Sequence, residues 1–323
     1  MEHRKIMAVA YYIFMFVLGF VLLICGSSLF VDSAVSLANK LHLPEVLIGA
    51  TIVSIGTTLP ESLFSTMASV HGLPDMALGN ALGSILCNTG FIAGFMLMLR
   101  PIHLEKKALG NIMSGAFFLG AAFVVYLTGG MTVGGLSRVS GIILLLMCLL
   151  YIGSTVRNAV IQEEQERTAQ SEERQSFGAS DVLRIVLEAV VLYIGASFLV
   201  EFGPKLARSF GVPEVIISLT FVALGTSLPE FVTSLVALKK KHSALSLGNI
   251  IGADILNFVL VGGLSAVICP IPYLDSVMGM ELPFIFFLLF VICFPSIVRQ
   301  KAGRIQGCLL LGGYVIYLIL TIS

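Results

Sequence analysis

Gly-Thr-Thr-Leu-Pro-Glu at residues 56–61 and Gly-Thr-Ser-Leu-Pro-Glu at residues 225–230 are nearly one hexapeptide written twice in an apolar chain. Each copy is followed by Gly-Asn-x-x-Gly and a further asparagine: Gly79-Asn80-Ala81-Leu82-Gly83 with Asn88, and Gly248-Asn249-Ile250-Ile251-Gly252 with Asn257. The copies align without a gap. Glu230 follows Glu61 by 169 positions (230 − 61), and Asn257 follows Asn88 by the same 169 (257 − 88). A carboxylate in an apolar segment is costly, so it marks an ion pathway or site. Two of them related by an internal repeat point to one cation site built from both halves.

Composition places that site in a bilayer. Of 323 residues, 57% are hydrophobic and 12% charged, against roughly 25% charged in a soluble domain. The mean hydropathy is +0.99. The fold class is an all-α polytopic membrane protein. A net charge of zero gives no reason to expect nucleic acid as a partner. The six cysteines (25, 87, 148, 269, 293, 308) have neither zinc nor redox spacing and read as small apolar residues. Met1–Lys5 with the apolar run behind it resembles a signal peptide, but the run is too long, and it reads as a retained first helix.

Runs long enough to cross a bilayer, about 20 residues, fall near 7–32, 45–70, 76–99, 110–128, 137–157, 181–203, 214–238, 243–269, 280–298 and 305–322. Ten transmembrane helices arranged as two inverted five-helix repeats are therefore expected. The first repeat covers 1–157, with its core at 44–90. The second covers 181–323, with its core at 213–259. A polar linker, 158–180, joins them. An odd number of spans per half makes the second half enter the membrane the opposite way, an arrangement typical of secondary transporters. Ser180-Asp181 reads as the N-cap that restarts the helix.

Loop charges set the orientation. Arg4, Lys5, Arg138, Lys205 and Arg208 fall on the side of the termini, and the other fourteen of the 19 Lys and Arg on the opposite side. Leaving out Arg157, Arg167, Arg174 and Arg184 around the linker, the ratio is still ten to five. By the positive-inside tendency both termini lie outside and the linker is cytoplasmic. The expected location is the cell (plasma) membrane.

Local chemistry follows from the motif. Pro60 removes a backbone donor and clashes with the carbonyl at Gly56, so span two kinks or breaks there. Carbonyl oxygens freed in this way are tolerated in a membrane only where protein or a cavity satisfies them. Glu61 lies one turn beyond Thr57, and Glu230 one turn beyond Thr226. Asn80, Ser84 and Asn88 share one helical face, as do Asn249, Ala253 and Asn257. Gly79, Gly83, Gly248 and Gly252 allow close helix approach. The matched polar positions offer only oxygen, which suits hard cations. A cage of this kind favours Ca²⁺ or Na⁺ over Mg²⁺, which keeps its waters. Two carboxylates neutralise one Ca²⁺ or two Na⁺, which is a physical basis for exchange.

At these residues the chain resembles the calcium/cation antiporter superfamily, and within it the prokaryotic sodium/calcium exchanger branch. The two Gly-Thr-[Thr/Ser]-Leu-Pro-Glu segments and the two Gly-Asn-x-x-Gly segments are similar to that family's α-repeats. The resemblance implies Na⁺/Ca²⁺ antiport by alternating access, with spans one and six sliding over a fixed core. It implies Glu61, Glu230, Thr57 and Thr226 as Ca²⁺ ligands, with Asn88 and Asn257 completing the middle of the site. It implies Na⁺ positions lined by Ser54, Thr58 and Ser84 on one side, and by Ala223, Thr226, Ser227 and position 253 on the other. No cofactor, enzyme activity or obligate protein partner is implied; the partners are Ca²⁺, Na⁺ and the lipid bilayer. The chain departs from the family pattern in two places: position 257 is Asn where well-known members have Asp, and position 253 is Ala where its mate is Ser84. Both departures bear on the coupling ion, and H⁺ in place of Na⁺ stays open as the alternative.

The remaining polar residues read as structural. Arg184 and Glu188, one turn apart, read as an ion pair. Asp32, Asp75, Glu201, Asp275 and Glu281 fall near interfaces and read as solvated. Asp254 flanks the second motif, but its mate is Ile85, which argues against a paired role in the site. An intramembrane hydrolase using the two glutamates is disfavoured by the lack of HExxH and GxGD motifs. A channel is disfavoured by the repeat.

Overall fold

In the computed structural model, which describes residues 2–41, 43–104, 106–167, 178–211 and 225–322, the chain is a helical membrane protein. Helix α1 spans Glu2–Lys40, and α2, Glu45–Thr57, continues after a break as α3, Leu59–Val70. Next come α4 (Pro74–Leu99), α5 (Lys106–Val133) and α6 (Arg138–Arg167). The second part holds α7 (Ala179–Ser209), α8 (Leu228–Lys239), α9 (Ser243–Ile268), α10 (Val277–Arg299) and α11 (Arg304–Ile322). Among the described residues, eight helices are long and apolar enough to cross a membrane, or nine if the bent pair α2–α3 is one span. The span expected over 214–238 lies partly outside the described residues; its described part is α8.

Two boundaries differ from expectation. Helix α1 runs eight residues past its expected end, because apolar residues through Ala38 keep packing on their neighbours. Helix α6 continues to Arg167, so the first ten residues of the expected linker, 158–167, are helical. Its Glu- and Gln-rich sequence favours helix without needing apolar packing. The cap of α7 is also shifted by two residues. Gly178 is the N-cap, and Asp181, in the first turn, accepts the Gly178 N–H at 3.1 Å. Asp181 also receives Lys40 Nζ at 2.8 Å, tying the end of α1 to the start of α7.

The helices sort into a core and a peripheral pair. Helices α4, α5, α6, α9, α10 and α11 share the larger apolar cluster, around Leu86, Ile92, Tyr126, Ile255 and Phe258. Helices α1 and α7 pack together along their length, joined through Leu23, Phe30, Ala189 and Leu192 to a second cluster. Glycines set that approach: a Cβ on Gly195 would fall 2.6 Å from the Leu23 nitrogen. The outward faces carry large apolar side chains, such as Phe14, Phe20 and Leu187, as a lipid-facing surface requires.

Two short antiparallel ladders close the helix ends. β1 (Ile102–His103) pairs with β4 (Lys301–Ala302), and β2 (Gly135–Leu136) pairs with β3 (Ile271–Pro272). Each joins a loop of the first part to a loop of the second. The six cysteines are free.

Candidate cation site

The break between α2 and α3 sits at Thr58 (φ −85°, ψ 0°), two residues before Pro60, and bends the pair by 45°. Pro60 then occupies the first turn of α3, where a missing N–H costs nothing. Ser227 has the same geometry (φ −85°, ψ 6°) before Pro229 at the start of α8. Glu61 and Glu230 thus stand in the first turn of a helix in mid-chain, and each is fully buried. Burying a carboxylate at this depth costs about 3 kcal/mol. The two are close enough to repel each other.

The amides expected to act together divide into two pairs with different tasks. Asn80 braces the fold: its Nδ2 donates to Ser65 Oγ at 2.9 Å and to the Glu61 carbonyl at 3.3 Å, and its Oδ1 accepts Thr226 Oγ1 at 3.1 Å. Asn249 does the same in the other half, donating to Ser234 Oγ at 3.2 Å and accepting Thr57 Oγ1 at 3.2 Å. The Thr226–Asn80 and Thr57–Asn249 bonds cross between the two parts of the chain, tying the turn before α8 to α4 and the end of α2 to α9. Asn88 and Asn257 are also fully buried, yet neither amide has a hydrogen-bond partner among the described residues.

Both of these asparagines fall in π-helical turns, Leu86–Ala93 and Asn257–Val261. A π-turn widens the helix and is common at functional sites. Short sequence motifs do not betray it, and only the packing reveals it. A third π-turn, Gly49–Val53, precedes the break in α2. There Gly49 and Gly252 lie where side chains would collide: a Cβ on Gly252 would come within 2.5 Å of the Ala50 carbonyl and Ser54 Oγ. Gly248 likewise approaches the Val46 carbonyl.

Several carboxylate oxygens have no partner among the described residues. Glu61 has none on either oxygen. Glu230 Oε1 accepts Thr58 Oγ1 at 3.2 Å, and Oε2 has no partner. Ser54 and Ser84 are buried nearby in sequence; Ser54 Oγ donates to the Thr51 carbonyl at 3.1 Å. Ser227 is buried with a free hydroxyl, and Ala253 is fully buried without one. Ala223 lies outside the described residues. Among those that are described, no three His, Cys, Asp or Glu side chains gather around one point, so a bound cation would need amide, hydroxyl or backbone oxygens as well.

Sequence reasoning set Asp254 aside, and the structure places it inside. It is 1% exposed, accepts Thr89 Oγ1 through Oδ2, and leaves Oδ1 without a partner. The available signal was an acid in the middle of an apolar run. Comparison with its mate Ile85 hid it, because Asp254 pairs with the other half at Thr89, not at Ile85. Arg184 and Glu188 form the expected ion pair at 2.9 Å. Asp32, read as solvated, is half-exposed and receives Lys240 Nζ at 2.7 Å.

A bundle of broken apolar helices around buried oxygens is the architecture of a membrane ion exchanger. The chain belongs to the sodium/calcium exchanger protein family, whose profile matches residues 11–157 and 181–323. It is 32% identical over 303 residues to the membrane protein MJ0091 of Methanocaldococcus jannaschii, covering 93% of this chain and 95% of that one. It is 30% identical over 335 residues to the sodium/calcium exchanger MaX1 of Methanosarcina acetivorans, covering 94% and 96%. Among solved structures it resembles the sodium-calcium exchanger NCX_Mj soaked with 10 mM Na⁺ and zero Ca²⁺. That likeness has a TM-score of 0.82 and 28% identity, and covers 96% of this chain and 99% of the other. The chain is thus a transporter of the antiporter class and not an enzyme.

Proposed function

We propose that this protein exchanges Na⁺ for Ca²⁺ across the cell membrane, by alternating access at a midplane site formed by Glu61 and Glu230. The observation that carries this reading is the pair of fully buried glutamates, three of whose four carboxylate oxygens have no partner among the described residues. Thr57, Thr226, Asn88 and Asn257 complete the Ca²⁺ ligands. Ser54, Thr58, Ser84, Ala223 and Ser227 line the Na⁺ positions.

Two carboxylates in low dielectric repel each other unless cations neutralise them. Either one Ca²⁺ or two Na⁺ at these two groups removes that repulsion. The site therefore passes through the membrane loaded, and loading by one ion excludes the other. Alternating access needs a moving part and a fixed one. Helices α1 and α7 are suited to move: they pack mainly on each other, through small residues. Lys240 Nζ holds α1 to α8 by Asp32 and by the Ser28 carbonyl at 2.9 Å, a contact that sliding must break.

The reading includes ten spans in two inverted repeats, 1–157 and 181–323, joined by a cytoplasmic linker with both termini outside. Its support is the matched bonding. Thr57 to Asn249 and Thr226 to Asn80 are the same bond at a spacing of 169 (226 − 57 and 249 − 80), each made across the halves.

The test is ⁴⁵Ca²⁺ flux in proteoliposomes under an imposed Na⁺ or H⁺ gradient. Uptake driven by outward Na⁺ supports the reading; uptake that follows H⁺ and ignores Na⁺ overturns it in favour of Ca²⁺/H⁺ exchange. That second reading has its own observation, the fully buried Ala253, which offers no hydroxyl opposite Ser84. Ala253→Ser should then strengthen Na⁺ dependence by about fivefold, the roughly 1 kcal/mol scale of one neutral hydrogen-bonding group.

A further inference from the structure

We propose that Asp254 and Thr89 form a separate subsite that holds one monovalent alkali cation, Na⁺ or K⁺, beside the Glu61–Glu230 pair. The inference rests on the exchanger reading and adds a binding residue to it. Asp254 belongs to α9, and Thr89 to the π-turn of α4, so the two parts of the chain meet here as they do at the glutamates. Both residues are buried, at 1% and 0% exposure. Thr89 Oγ1 donates to Asp254 Oδ2, which leaves the hydroxyl lone pairs and all of Oδ1 without a partner. Asn88, the neighbour of Thr89, is buried with an unpartnered amide on the same turn.

Charge and geometry choose the ion. Among the described residues Thr58 donates to Glu230 and Thr89 to Asp254, and no Lys, Arg or His pairs with these two acids or with Glu61. An unpaired charge at such a place is costly, so these acids are neutralised by a cation or a proton. Asp254 lies within electrostatic reach of Glu230, yet the three acids do not converge on one point. One ion cannot serve them all. Ca²⁺ between the glutamates leaves a single negative charge at Asp254, which one monovalent cation balances. A second Ca²⁺ would leave excess positive charge and would require six to eight oxygens. One carboxylate, a hydroxyl and the carbonyls of a widened turn are hard oxygen donors suited to an alkali ion.

The experiment uses the full-length protein in proteoliposomes, with NaCl or KCl titrated against choline chloride and ⁴⁵Ca²⁺ and ²²Na⁺ counted together. Asp254→Asn should weaken the monovalent dependence of Ca²⁺ flux about tenfold (about 1.4 kcal/mol), with the KM for Ca²⁺ changed less than about threefold. Where Na⁺ is the ion, the ²²Na⁺ moved per ⁴⁵Ca²⁺ falls by one. Thr89→Val should shift the monovalent dependence in the same direction by a smaller factor. Wild-type monovalent dependence in folded Asp254→Asn overturns the proposal. So does loss of Ca²⁺ and monovalent response together, because that would place Asp254 on the Ca²⁺. If Asp254→Asn does not fold, an unchanged Thr89→Val overturns it. Failure of the exchanger reading is separate: wild type would move no Ca²⁺. The subsite would then still be decided by the rise in melting temperature with Na⁺ or K⁺ in wild type and its loss in Asp254→Asn.

Discussion

The two halves of the site share a frame but not a charge distribution. The frame is symmetric: Asn80 with Ser65 and Thr226 mirrors Asn249 with Ser234 and Thr57. Thr58 and Ser227 stand before the two Leu-Pro-Glu helix starts with nearly the same backbone angles. The charge is not symmetric. Thr58 donates to Glu230, while no described residue donates to the Glu61 carboxylate. Asp254 stands in the second half alone, opposite Ile85 in the repeat, and Ser84 stands opposite Ala253. A frame built from backbone breaks and amide braces needs both copies to close. The ligands need only sum to the right charge, so they can drift to one side.

That comparison can be broken in three ways. The largest effect is expected at the charges themselves. Glu61→Gln or Glu230→Gln should lower exchange by on the order of 10²-fold or more, about 2.7 kcal/mol at 1.4 kcal/mol per tenfold. The melting temperature should be unchanged or raised, since an unpaired buried charge is removed. Full ⁴⁵Ca²⁺ exchange in either variant would remove the glutamates from the site.

The next effect tests whether the frame is symmetric. Asn80→Ala takes away the acceptor of Thr226 and Asn249→Ala the donor to Ser234, while Ser65 and Thr57 keep the Ala77 and Ser54 carbonyls, so each should cost about 1–3 kcal/mol of stability. Melting in detergent should fall by similar amounts for the two. A loss confined to one variant would show that only one half braces the fold.

The smallest effect tests the asymmetry of the hydroxyls. Thr58→Val removes the one hydrogen bond to Glu230 Oε1 and should cost about 0.5–1.5 kcal/mol. Ser227→Ala removes no bond and should be close to neutral in melting temperature. Equal losses would mean that Ser227 also has a partner in the working protein.

Much of this was legible in the sequence because it rests on repetition and on cost. The duplicated hexapeptide, its constant spacing from the asparagines, and the price of two glutamates in an apolar chain point to a buried cation site. Pro60 and Pro229 announce the helix breaks. Other features were not legible. The break falls at Thr58, not at the proline, because proline is accommodated in the first turn of the new helix. The four asparagines look equivalent along the chain. Only the crossing of α3 and α8 over α4 and α9 makes two of them braces and leaves two unpartnered. Asp254 was set aside on a rule of symmetry that the frame obeys and the ligands do not.

The sequence alone determined that this is a helical membrane protein with two internal copies of a carboxylate–amide motif. Periodicity, apolar length and the cost of charge are local properties, readable residue by residue. Tertiary structure decided which of the described buried oxygens have a partner and which do not. Partnership across 146 to 192 residues depends on where two helices meet, and no local pattern encodes that.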